Sequence, residues 1–92
     1  MRKLVFSTRF KRDYKSMIKR GYDAGKLETV LELLQAGDSV PEKYRNHPLS
    51  GNWKGYQELH IQPDWLLIYK EESDLITLTL TRTGTHSDLF KR

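Results

Sequence analysis

Two periodicities divide this chain of 92 residues. In the first half apolar residues return every three or four positions, the spacing of one helix face, and in the second they alternate with polar ones, the spacing of one strand face. Leu4, Val5 and Phe6 predict a short first strand. Ser7 or Thr8 can then cap a helix whose stripe runs Phe10, Tyr14, Met17, Ile18 and stops at Gly21. A second helix, from about Asp23 to Ala36, repeats Leu27, Val30, Leu31 and Leu34, with Asp23 as cap and Gly37 as stop. Helices this short are not stable alone in water, so the pair must lay both stripes on another apolar surface.

The second half supplies it. Tyr56 to Ile61, Trp65 to Lys70 and Leu75 to Arg82 read as three strands, separated by QPD and EESD, both with good turn chemistry. Helices followed by an antiparallel meander make an α+β domain. If the first hairpin closes around Gln62 to Trp65, the period of two puts Leu59, Ile61, Leu66 and Ile68 on the face toward the helices. His60, Leu67 and Tyr69 then occupy the other face. The last strand offers Ile76, Leu78 and Leu80 to the core, with Thr77, Thr79 and Thr81 outside. Strict alternation would bury Arg82 without a partner, which is untenable, so a bulge or sharp bend is expected at Arg82 to Gly84.

Length allows one domain, 1–92, with one principal site. Absence of cysteine removes disulfides, zinc–thiolate sites and cysteine nucleophiles together, and fits a reducing cytoplasm. The start, MRKLVFSTRF, has too short an apolar run for a signal peptide, and no segment reads as membrane-spanning. The net charge of +4 favours a polyanionic partner without naming it. Its distribution says more: eight of the sixteen basic residues fall in the first twenty positions, either as a nucleic-acid surface or as a solvated helix face.

Candidate chemistry is concentrated in HPLSGNWKGY (47–56), ELHIQPDW (58–65) and TRTGTHSDLF (81–90), which hold all three histidines. Cleaving RNA without a metal needs a base for the ribose 2′-hydroxyl, an acid for the leaving 5′-oxygen and a cation for the crowded phosphate. His47, His60, His86, Asp64 and Arg82 match that inventory. Simpler readings stand beside it. A lone histidine is more often a surface or capping residue, Asp64 after Pro63 can simply form the turn, and Trp53 and Trp65 can both be core. A non-catalytic RNA-binding domain explains charge and aromatics but not the gathering of histidines. A metal hydrolase could use His47, His60, Asp64 and His86 as ligands.

The run HPLSGNWKGYQELHIQPDWLLIY followed by TRTGTHSDLF closely resembles the YafQ branch of the RelE-type toxins, in register from His47 onward. The helical half agrees with that family in pattern and length rather than in distinctive residues. The resemblance implies a microbial RNase-like fold: an N-terminal strand and helical hairpin on one face of a curved antiparallel sheet, a short C-terminal helix or turn, and the site on the opposite, concave face. It implies a site of His47, His60, Asp64, Arg82, His86 and Phe90, with Trp65 and Lys54 as further substrate contacts. His86 is the expected principal proton-transfer group, His47, His60 and Asp64 share base and positioning roles, and Arg82 holds the scissile phosphate. The implied reaction is attack by the ribose 2′-hydroxyl on messenger RNA in the ribosomal A site, with no metal or other cofactor. The implied partner is a DinJ-like antitoxin whose acidic segment covers the basic surface, with promoter DNA bound only through that antitoxin.

Overall fold

The computed structural model describes residues 1–90. Its elements are β1 (Lys3–Phe6), α1 (Thr8–Lys19), α2 (Ala24–Ala36), β2 (His47–Pro48), β3 (Gln57–Gln62), β4 (Trp65–Glu71), β5 (Thr77–Gly84) and α3 (His86–Phe90). Single 3-10 turns at Glu42–Tyr44 and Gly51–Trp53 flank β2. The five strands form one sheet in the order β1-β5-β4-β3-β2. The expected α+β architecture and its central meander are present.

The helices begin and end where their cap residues place them. The Ser7 hydroxyl accepts the Phe10 N–H at 2.9 Å and the Asp23 carboxylate accepts the Gly25 N–H at 2.8 Å, each satisfying a donor that the helix cannot. Gly37 ends α2 in the left-handed conformation at φ 80. Phe10, Met17, Leu27, Val30 and Leu34 from the two helices pack on Leu59, Ile61, Trp65, Leu67, Tyr69, Leu78 and Leu80 of the sheet. Tyr14 and Leu31 of the expected stripes pack half-buried at its margin, and Ile18 is half-buried away from it.

Four expectations require correction. On β4 the faces are reversed: Trp65, Leu67 and Tyr69 meet the helices, while Leu66 and Ile68 join a second cluster with Leu89 on the other side of the sheet. The cause is a register shift. Gln62 pairs with Trp65 as an ordinary two-residue hairpin requires, but His60 pairs with Leu66, so Ile61 is an extra residue on β3. One inserted residue turns every later side chain of the partner strand over. On β5 the irregularity falls earlier than expected: Arg82 pairs with Ile68 and Leu80 with Tyr69, leaving Thr81 unpaired. Ile76 precedes β5 and is 57% exposed, outside the core. The sheet is not wholly antiparallel either, since β1 lies parallel to β5, Lys3 opposite Thr77 through Phe6 opposite Leu80.

Beyond Phe6 the chain turns into α1, which continues beside the end of β5 where β1 stops. The Ser7 hydroxyl donates to the carbonyl of the bulged Thr81 at 2.9 Å. Asp13, further along α1, accepts the Thr83 N–H at 3.2 Å. An edge that would expose unpaired backbone is thus closed by a helix.

Candidate active site

The face of the sheet turned away from α1 and α2 carries the histidines. His47 pairs with Glu58 across β2 and β3, and His60 stands two residues along β3, so all three side chains rise on one face. The bulge at Ile61 puts Leu66 and Ile68 beneath them as an apolar floor.

Two groups of proton-exchanging side chains result. In the first, the Oε1 atom of Glu58 lies 3.4 Å from Nε2 of His47 and 3.2 Å from Nε2 of His60. Glu58 and His60 are buried, at 6% and 9% exposure, whereas His47 is open to solvent. Nδ1 of His47 lies 2.8 Å from the Arg45 carbonyl and Nδ1 of His60 lies 3.3 Å from the Pro63 carbonyl. A carbonyl oxygen only accepts, so both Nδ1 atoms carry the hydrogen and both Nε2 atoms are turned toward one carboxylate oxygen. Arg45 holds the left-handed conformation, φ 48, that aims its carbonyl at His47.

In the second group, His86 opens α3, and its backbone N–H and Nδ1 both meet Oδ1 of Asp64, at 2.9 Å and 2.6 Å. The backbone hydrogen bond from His86, and then the one from its ring, hold the Asp64 carboxyl below its ordinary range. His86 is exposed, and its Nε2 has no hydrogen-bond partner among the described residues. The groups adjoin, with ring centroids of His60 and His86 5.9 Å apart and those of His47 and His60 6.1 Å apart.

Packing fixes the short helix that carries His86. Gly84 is the close-approach point, since a Cβ there would sit 3.0 Å from Cβ of Asp88. Asp88 accepts the Thr85 N–H at 2.9 Å while Thr85 Oγ1 accepts the Asp88 N–H at 3.2 Å, a reciprocal cap. Arg20, just past the end of α1, donates to Asp88 at 2.8 Å. That hydrogen bond, followed by the Thr85 N–H, lowers the Asp88 carboxyl below its ordinary range.

Of the expected site residues, His47, His60, Asp64, His86 and Phe90 come together. Phe90 lies 6.4 Å from the His86 ring and edge-on to Trp53 at 6.2 Å, so these two half-buried aromatics wall the site. Lys54 follows Trp53 and is exposed. Trp65 is not a substrate contact. It is fully buried on the helix side, edge-on to Tyr22, and donates from Nε1 to Thr83 Oγ1 at 2.9 Å. Trp53, not Trp65, is the tryptophan that lies beside Phe90. Asp64 serves His86 rather than simply closing its own turn. Arg82 begins on the same face as Ile68, but its Nε and Nη2 donate to Asp13 at 2.7 Å and 3.2 Å. The structure therefore keeps its guanidinium with α1 rather than with the histidines.

Two participants were missed from the sequence, Glu58 and Asp13. Glu58 was legible in part, since the same alternation that raises His60 raises the residue two before it. For Asp13 the only available signal is its place as the lone acid among the bases of KRDYKS. Donor atoms of His47, Glu58 and His60 lie within 4.8 Å of one another, a set that could also receive a divalent ion.

The chain and its fold have close counterparts among known proteins. The chain matches, over residues 2–91, the family described as bacterial toxin of type II toxin-antitoxin system, YafQ. It is 42% identical over 90 residues to the mRNA interferase toxin YafQ of Escherichia coli K12, covering 97% of this chain and 96% of that one. The crystal structure of YafQ from E. coli BL21(DE3) superposes with a TM-score of 0.90 at 40% identity, covering 98% of this chain and 99% of that one. The crystal structure of the E. coli DinJ-YafQ complex contains a chain that superposes at 0.87 with 41% identity, covering the same shares. The fold and the family match are those of a bacterial type II toxin. Within that class, the chain belongs to the YafQ family.

Proposed function

We propose that this protein is an endoribonuclease, an mRNA interferase that cuts messenger RNA in the ribosomal A site and so stops translation. What carries the reading is the pairing of two proton-exchanging groups: the His47–Glu58–His60 trio and, 5.9 Å from His60 between ring centroids, a His86 anchored through Nδ1 to Asp64. The 2′-hydroxyl gives its proton to the trio as its oxygen attacks the adjacent phosphorus. The bond from phosphorus to the 5′-oxygen breaks, and Nε2 of protonated His86 supplies that oxygen with a proton. The products are a 2′,3′-cyclic phosphate and a 5′-hydroxyl; water returns the proton from trio to His86. Asp64 acts through His86, fixing its ring and leaving Nε2 for the proton transfer. Trp53 and Phe90 offer faces for an unpaired base, with Lys54 beside them for a phosphate. Arg82 reaches the scissile phosphate by exchanging Asp13 for it, two anions of like demand on a planar fork.

The same reading supplies the partner. A relative is found as a DinJ-YafQ complex, and the exposed face of α1 presents Arg9, Lys11, Arg12, Lys15 and Lys19 to an acidic antitoxin segment. Promoter DNA is contacted through that antitoxin. No described helix is long and apolar enough to cross a membrane, and a cytoplasmic site of action follows from the ribosomal substrate.

Primer-extension mapping of messenger RNA in a purified translation system tests this directly. Ribosome-dependent cuts at fixed codon positions, insensitive to chelator and ending in cyclic phosphate, are expected. Cutting that chelator abolishes would transfer the reaction to a metal held by the trio. Binding without cutting would leave an RNA-binding module.

A further inference from the structure

A cleft of about 430 Å³ opens against His60. Its walls include Lys26 from the first turn of α2, Lys43 from the 3-10 turn, and Arg45 beyond it. All three are exposed, no carboxylate lines the cleft, and none of the three is ion-paired among the described residues. This is a different surface from the basic face of α1, and neither the trio nor His86 needs it for chemistry. Its tie to the site is covalent. The left-handed backbone of Arg45 that aims a carbonyl at His47 also projects the Arg45 side chain into the cleft, and His60 belongs to both the trio and the wall. An occupant continuous with whatever reacts at His60 must be a chain that carries negative charge at each step.

We infer that the cleft holds the RNA strand where it runs on from the scissile position, with its phosphodiester groups on Lys26, Lys43 and Arg45. The inference rests on the ribonuclease reading and extends it to the substrate's path. The phosphates are those of the message itself; ribosomal RNA touched by the docked toxin would meet the same cations without continuing through His60, and the test separates the two. An acidic peptide would satisfy the cations but has no reason to continue through His60.

The double variant Lys26→Gln/Lys43→Gln removes two exposed charges and leaves Arg45 to hold His47. One arm measures affinity for a short single-stranded RNA carrying a 2′-deoxy sugar at the cleavage position, across a range of salt. The other repeats the titration with empty ribosomes, and cleavage is followed separately at saturating message. Two lost phosphate contacts should flatten the dependence of log affinity on log salt by about 1.4, at roughly 0.7 for each phosphate of a single strand. KM should rise while kcat at saturation stays unchanged. Flattening in the oligonucleotide arm supports the message strand, whereas flattening confined to ribosomes assigns the cations to ribosomal RNA and overturns the inference. Wild-type and variant slopes that coincide in both arms overturn the inference alone, as does a loss of kcat at unchanged KM. A wild-type protein that neither binds nor cuts RNA overturns the ribonuclease reading, and this inference with it.

Discussion

Nδ1 of each histidine is occupied, on the Arg45 carbonyl, the Pro63 carbonyl and the Asp64 carboxylate in turn, and this leaves Nε2 as the working atom of all three. His86→Ala should lower kcat by about 10²- to 10⁴-fold, the usual contribution of a general acid, in single-turnover cleavage. Asp64→Asn keeps an acceptor and loses the charge, so a smaller drop is expected. Because the folded Asp64 carboxyl lies below its ordinary value of 3.8, its hold on His86 is fully present above that pH and is lost as pH falls through the lowered value. NMR of the His86 ring should register that loss only in strong acid. A contact that failed near neutrality would refute it. The tryptophans give a cleaner contrast. Trp65→Phe removes the bond to Thr83 and should lower stability by about 1 kcal/mol with activity per folded molecule unchanged, whereas Trp53→Ala should raise KM. From the sequence the two looked alike, because no local feature tells an indole beneath a sheet from one above it. The histidines were legible because their type limits their chemistry; the partners of Arg82 and His60 were not, since Asp13 lies 69 positions from Arg82 and Glu58 acts only by way of the sheet's pleat.

At the scale of elements, caps and periodicity were enough to place α1, α2 and the three long strands within a few residues. The two-residue β2 carries no pattern of its own and was invisible. The β4 faces went wrong through Ile61, an apolar residue that reads the same whether paired or bulged, with no glycine to mark it. Deleting Ile61 should give an unbulged hairpin that keeps His60 opposite Leu66 and Glu58 opposite Ile68, so both faces persist and cleavage per folded molecule survives while stability falls with the lost core side chain. A deletion mutant that folds but no longer cuts would show that the bulge itself shapes the site. Leu67→Ala, in the corrected core, should cost about 2–5 kcal/mol in chemical denaturation, while Ile76→Ser outside it should change little. Asp13→Asn weakens the tie of α1 to both Arg82 and Thr83, and hydrogen exchange of the β5 end should quicken.

For the molecule as a whole, the parallel pairing of β1 with β5 has a consequence in time. Lys3 meets Thr77, so β1 waits for a strand made 74 residues later, and His86 follows later still. Non-local closure of this kind is slow, and it cannot begin until β5 has been made. On the proposed activity, a nascent chain that has not yet reached β5 and His86 is harmless to the ribosome that is making it. Its blade is forged after its handle, and the interval before the sheet closes is when a waiting antitoxin can reach it first.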